Sequence, residues 1–213
     1  MKVLLFNIVM IAAFLHSCNF PRQNSSTIIK SDTVINLTSH IKLFGQRSKD
    51  FGGSSFNPIE IVINNEQIFF DSTNEYWLSG FESKQFPKLL ECTDGSIQLL
   101  IEVDERPNTN ELQQIKISKE GHVQTDRLPI FNWVEKDIDN DGKMEVSGIL
   151  TNGETIAEGD TAFYNPTLVY ELTNSCLNMD STATREINKK IWGEFYGYYY
   201  NDSLLLPYDP RNK

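Results

Sequence analysis

Short runs of alternating apolar and polar residues, separated by Asn, Asp and Gly, fill most of the chain. Ile59–Ile63 and Gln67–Phe70 flank Asn64-Asn65, a pair suited to a tight turn, and predict a hairpin. Leu89–Glu91 and Ile97–Val103 flank Thr93-Asp94-Gly95 and predict a second. Leu112–Ser118 and His122–Thr125 flank Glu120-Gly121 and predict a third, in which Ile115 and Ile117 alternate with Lys116 and Ser118, as on a strand with one wet face. Upstream, Thr27–Leu37 is rich in Ile, Val and Thr and reads as strand, whereas Gly45–Asn57, with Gly-Gly-Ser-Ser, predicts a mobile loop. Met144–Leu150 reads as a strand with Met144, Val146 and Leu150 on one face and Glu145 on the other. Residues 151–160 read as a loop, and Ala162–Tyr164 and Leu168–Leu172 continue the sheet. One helix is predicted, capped by Asp180 or Ser181, striped by Ala183, Ile187 and Ile191, with Lys189 and Lys190 near its end and Gly193 after it. Phe195–Tyr200 predicts a last, aromatic strand, and the tail from Pro207 is extended. The sum is a mainly β fold: antiparallel hairpins forming a small propeller-like, barrel or sandwich domain with one C-terminal helix.

One loop carries candidate chemistry. Asp137, Asp139, Asp141 and Glu145 occupy positions 1, 3, 5 and 9 of a segment with Gly142 at position 6. Hard cations take oxygen ligands, and acids at alternate positions of a tight loop supply them. Gly142 permits the positive φ that curls the chain, and Lys143 at position 7 offers its carbonyl. An EF-hand needs a glutamate at position 12 and flanking helices; here position 12 is Gly148 and the approach contains Pro129. The loop resembles the D-x-D-x-D-G-x-[DE] turn between strands of FG-GAP and VCBS-type β-propeller repeats. That resemblance implies calcium held by Asp137, Asp139, Asp141 and Glu145.

The N-terminus sets an address. Met1-Lys2 precedes an apolar run from Val3 to Leu15, then His16-Ser17-Cys18. A positive start and a short apolar stretch make a secretory signal; a membrane span needs about 20 apolar residues. Leu15, Ser17 and Cys18 resemble a bacterial lipobox of the looser, Bacteroidetes type. This implies a signal peptide over 1–17, lipidation of Cys18, a polar tether over 18–26 and a single domain over 27–213, held at the outer membrane. The alternative is an ordinary signal peptide cut nearby, with Cys18 a free thiol.

Charge narrows the partners. The formal net charge is −10, and −11 once residues 1–17, with one lysine and no acid, are removed. Such a surface excludes nucleic acid, which requires basic patches, and leaves the lipid as the membrane contact. Of three cysteines, Cys92 and Cys176 remain beside Cys18. An oxidising envelope permits one disulfide between them, and two buried free thiols satisfy the count equally.

Familiar catalytic motifs are absent: there is no HExxH, GxSxG, phosphate-binding glycine loop or dinucleotide fingerprint. His40 and His122 have no neighbouring Cys or His at metal-ligand spacing. Tyr76-Trp77, Trp133, Trp192 and the run Phe195, Tyr196, Tyr198, Tyr199, Tyr200 suit either sugar stacking or core packing. Thr33, Ser72, Thr161 and Ser203 each follow an aspartate in triplets that resemble the O-glycosylation acceptor of exported Bacteroidetes-type proteins; the same pairs also mark turns and caps. The expected function is a calcium-stabilised envelope lipoprotein acting as a binding or accessory module, with an envelope protein or glycan as partner. The alternative is a glycan-active hydrolase or carbohydrate-binding protein of the cell envelope.

Overall fold

The structure, a computed structural model, describes residues 31–49, 55–78, 85–106, 108–131, 133–151 and 161–207. The signal peptide 1–17, Cys18, the tether 18–26, residues 27–30 of the first expected strand, the loop over 152–160 and the tail beyond Pro207 lie outside them.

Fourteen strands and one helix follow in order: β1 (Thr33–Asn36), β2 (Ile41–Arg47), β3 (Phe56–Ile63), β4 (Glu66–Asp71), β5 (Tyr76–Trp77), β6 (Lys88–Glu91), β7 (Ile97–Val103), β8 (Glu111–Ile117), β9 (Val123–Pro129), β10 (Glu145–Ile149), β11 (Thr161–Tyr164), β12 (Thr167–Thr173), β13 (Cys176–Met179), α1 (Ser181–Trp192) and β14 (Asn201–Pro207). Nine strands make one antiparallel sheet in the order β1-β2-β3-β5-β7-β8-β9, with β4 beside β3 and β6 beside β7. β10-β12-β13 form a second sheet and β11-β14 a third. The three predicted hairpins are present, and Asn64 and Asn65 make the first turn with φ of 51° and 67°.

The large sheet bends round its core. Ile41, Leu43, Ile59 and Ile61 from one end and Leu99, Ile101, Ile115 and Ile117 from the other share one buried cluster with Tyr76. The bend brings the free edges of β4 and β9 to one cleft, lined by Phe69–Asp71 and Thr125–Arg127, where Arg127 donates to the Asn74 side chain at 2.6 Å. The second sheet covers the outer face of β7–β9. Leu100, Leu112, Leu128 and Phe131 there meet Val146, Leu168, Tyr170 and Leu177. No sheet closes into a barrel among the described residues; the arrangement is sandwich-like.

Four local expectations are corrected. On β8 the expected alternation holds where Lys116 and Ser118 are half-buried beside buried Ile115 and Ile117, but Leu112–Gln114 have no wet face, because the first core takes one side and the second sheet the other. β2 runs to Arg47 and β3 starts at Phe56, shortening the expected 45–57 loop from both ends. β11 and β12 separate into different sheets instead of continuing one. Phe195–Tyr200 is irregular, with Gly197 at φ 123°, and the last strand is β14.

The two larger sheets are joined covalently. Cys92, after β6, and Cys176, opening β13, form a disulfide across 84 residues, with Cα atoms 5.1 Å apart. α1 has Asp180 as N-cap, its carboxylate accepting from Thr182 and Ala183 N–H, and Gly193 as C-cap. Its buried face is partly polar: Thr184 and Asn188 bond the backbone of β12. Among the described residues no helix is long and apolar enough to cross a membrane.

Candidate functional site

The acidic loop joins the segment after β9 to β10. Lys136 and Glu145 pair through both backbone groups, at 3.0 and 2.9 Å, and so close its base. Asn140 (φ 65°) and Gly142 (φ 88°) make its turn; a side chain at Gly142 would be strained at that φ.

Inside this frame each of three carboxylates has a structural bond. The Asp137 Oδ2 accepts from Gly142 N–H at 3.2 Å, Asp139 Oδ1 from Asp141 N–H at 3.1 Å, and Glu145 Oε2 from Ile138 N–H at 2.7 Å. The remaining oxygens of two of them are left over. Asp137 Oδ1 and Glu145 Oε1 are buried and have no hydrogen-bond partner. Asp137, Asp139 and Glu145 each bring a carboxylate oxygen within 4.8 Å of the others.

Glu145 is the unexpected member. The strand pattern puts it on the face opposite Met144, Val146 and Leu150, the expected apolar side, yet Glu145 is 0% exposed and Met144 47%. Val146 and Leu150 do enter the core. The side chain of Glu145 is turned into the loop, so its burial follows the loop geometry and not the strand's alternation. Burial raises its carboxyl above the ordinary range; the Ile138 N–H opposes this, and repulsion from Asp139, Asp141 and Asp137 adds to the rise. A buried carboxylate in such company needs a positive partner or a proton.

The donor set fits a hard divalent cation. Oxygens on opposite sides of a calcium ion, each at about 2.3–2.6 Å, stand about 5 Å apart, which accommodates the observed spread. Asp137, Asp139 and Glu145 would hold it. Asp141 stands outside this group. It accepts from Lys143 N–H at 2.9 Å and pairs with the Lys143 ammonium at 3.0 Å. That ammonium also reaches Glu171 of β12 at 2.8 Å, so Lys143 ties the loop to the neighbouring strand. The backbone N–H and ammonium of Lys143 hold the Asp141 carboxyl below its ordinary range. Glu171 had no sequence signal, because it lies 28 residues from Lys143 and meets it only through strand pairing.

The other predicted sites are scattered. Ser72 and Ser203 are exposed, and Thr33 and Thr161 are half-buried at the starts of β1 and β11. Two of the aspartates before them have local work: Asp71 accepts from Thr73, Asn74 and Tyr76, and Asp32 from Arg47 N–H. Of the aromatics, Tyr76, Trp77 and Trp192 are core residues. Trp133 packs edge-on against Phe86 and Phe131 beneath the Lys88 ammonium.

A second concave feature lies where the second sheet meets β8 and β9. This cleft of about 330 Å³ is bordered by Gln114, Lys116 and Asp126 on one side and Tyr170, Tyr198 and Tyr199 on the other. Asp126 is the only acid among the described residues lining it.

No protein-family model matches the chain, and no curated protein or solved structure matches it.

Proposed function

We propose that this chain is a lipid-anchored β domain of the cell envelope, stabilised by calcium and acting as a binding or accessory module. The observation that carries the calcium reading is the pair of buried, unpartnered carboxylate oxygens on Asp137 and Glu145, turned into one loop with Asp139. Burying such oxygens without a partner costs several kcal/mol, on the order of what a bound divalent ion returns. The ion's role is structural, because the loop fixes the entry of β10 and holds Lys143 against β12. The envelope address rests on the lipobox-like Leu15, Ser17 and Cys18.

Binding is favoured over hydrolysis by the tyrosine-lined cleft. Glycosidic cleavage ordinarily uses two carboxylates facing across the scissile bond, and that cleft presents one, Asp126.

The module reading is tested by fractionating native cells and by capture from the solubilised envelope with and without EDTA. Wild-type protein is expected in the membrane fraction, Cys18→Ala in the soluble fraction, and a captured envelope component that EDTA releases. Identical fractionation of the two proteins contradicts the anchor. Capture that EDTA leaves unchanged contradicts calcium-dependent binding.

A further inference from the structure

We propose that the cleft between β8–β9 and the second sheet binds a neutral saccharide, stacked on Tyr199 and hydrogen-bonded by Tyr170, Asp126 and Gln114. The inference rests on the reading of the domain as a binding module and supplies its ligand class.

Four observations converge. First, Tyr199 is 79% exposed, the most exposed of the large hydrophobic and aromatic side chains among the described residues. It is not at the end of a loose segment. Tyr196 packs on Tyr164 at 5.4 Å, Phe195 on Tyr198 at 5.0 Å, and the Tyr164 hydroxyl donates to the Gly197 carbonyl at 2.7 Å. A segment tied to Tyr164 of β11 by two contacts, and packed on itself through Phe195 and Tyr198, thus presents one bare ring at the rim of a cleft. An aromatic ring held in water offers the apolar face that a sugar's C–H face covers.

Second, Tyr170 is 5% exposed, with its ring packed on Phe131 at 5.2 Å. Burial, then the Asp126 carboxylate and Tyr199, push its phenol above the ordinary range. It therefore stays protonated and remains a hydrogen-bond donor at the cleft. Third, the polar lining is balanced. Lys116 neutralises Asp126 at 3.0 Å and Glu105 neutralises Arg127 at 2.9 Å. On a chain of net charge −10, this cleft carries paired charges and one amide, Gln114, which suits a neutral polyhydroxy ligand better than an anion or a cation. Fourth, the volume of about 330 Å³ falls at the small end of ligand sites and fits one or two sugar rings.

The test is an array of neutral and acidic oligosaccharides probed with labelled wild-type protein in calcium, followed by titration of the best ligand into Tyr199→Ala and Tyr170→Phe. The first variant removes an exposed ring and the second a single hydroxyl, so both retain the fold; circular dichroism verifies this. Binding of a neutral oligosaccharide is expected, weakened about tenfold or more by Tyr199→Ala and measurably by Tyr170→Phe. Binding of no neutral glycan overturns the proposal, as does binding that both variants keep. Melting in calcium and in EDTA, read on the same samples, separates the two claims. A calcium shift without glycan binding overturns the cleft alone, and glycan binding without a calcium shift overturns the calcium loop alone.

Discussion

The side-chain amide of Gln98 pairs with both backbone groups of Leu177. Its oxygen accepts from Leu177 N–H at 2.8 Å and its nitrogen donates to the Leu177 carbonyl at 3.3 Å. Gln98 belongs to β7 and Leu177 to β13, so a glutamine stands in for a missing strand where two sheets meet. Gln114 donates to the same oxygen at 3.2 Å. Replacing Gln98 with Leu keeps the volume and strands three buried polar groups. Each costs about 1–3 kcal/mol, so a loss of about 3 kcal/mol or more is expected in urea unfolding. A loss under about 1 kcal/mol would mean that these groups find other partners.

Asn188 repeats the device on the other side of the second sheet. It accepts from Thr167 N–H at 2.9 Å and donates to the carbonyls of Thr167 and Thr184, both at 2.7 Å. Asn188→Leu should cost about 2–4 kcal/mol. It should also remove hydrogen-exchange protection from the Thr167 amide while leaving β7 and β8 protected. Unchanged exchange at Thr167 would show that the helix does not depend on this contact.

The Cys92–Cys176 disulfide closes a loop of 84 residues in sequence. Such a crosslink removes unfolded-state entropy worth about 4 kcal/mol. A Cys92→Ser/Cys176→Ser double variant should lose about that much, and wild type in reductant should match it. Equal stability of oxidised and reduced protein would contradict the assignment.

How much of this was legible depends on what covers each strand. Hairpins with one free turn announced themselves: Asn64-Asn65 and Thr93-Asp94-Gly95 sit where alternation breaks, and Asp180 and Gly193 bound the helix as caps should. The failures fall where a second layer hides the period. β7 and β8 carry apolar residues toward one core, while Gln98 and Gln114 are buried on the other side as bonding partners. Alternation alone does not reveal that Gln114, on the same face as Lys116, is buried. β13 is four residues long and holds only Leu177 in the core, too little to signal a strand. The acidic loop was legible as a spacing, but the burial of Glu145 and the diversion of Asp141 to Lys143 were not. The tyrosine cleft draws residues from β8, β9, β12 and the segment after α1, and no local pattern joins them.

Acid sensitivity should centre partly on Asp71. Burial opposes its ionisation, but hydrogen bonds from Thr73, Tyr76 and Asn74 outweigh that and bring its carboxyl from 3.8 down to about 2. A folded value below the unfolded one stabilises the fold above about pH 4 and loses that contribution as pH falls toward 2. Asp71→Asn should therefore lower stability at neutral pH and flatten its decline between pH 4 and 2. An acid-unfolding profile parallel to that of wild type would contradict this role.

Calcium titration by calorimetry, paired with melting in calcium and in EDTA, tests the central claim most directly. The loop predicts one ion per chain. A ligand at a hundredfold excess over its Kd adds about 2.7 kcal/mol, which for a domain of this size raises Tm by about 5–10 °C. Glu145→Gln keeps the shape of the side chain and removes its charge; this variant and Asp139→Ala should show neither heat nor shift. No binding heat and one melting temperature in calcium and EDTA would contradict the account, as would a Glu145→Gln protein that binds calcium like wild type.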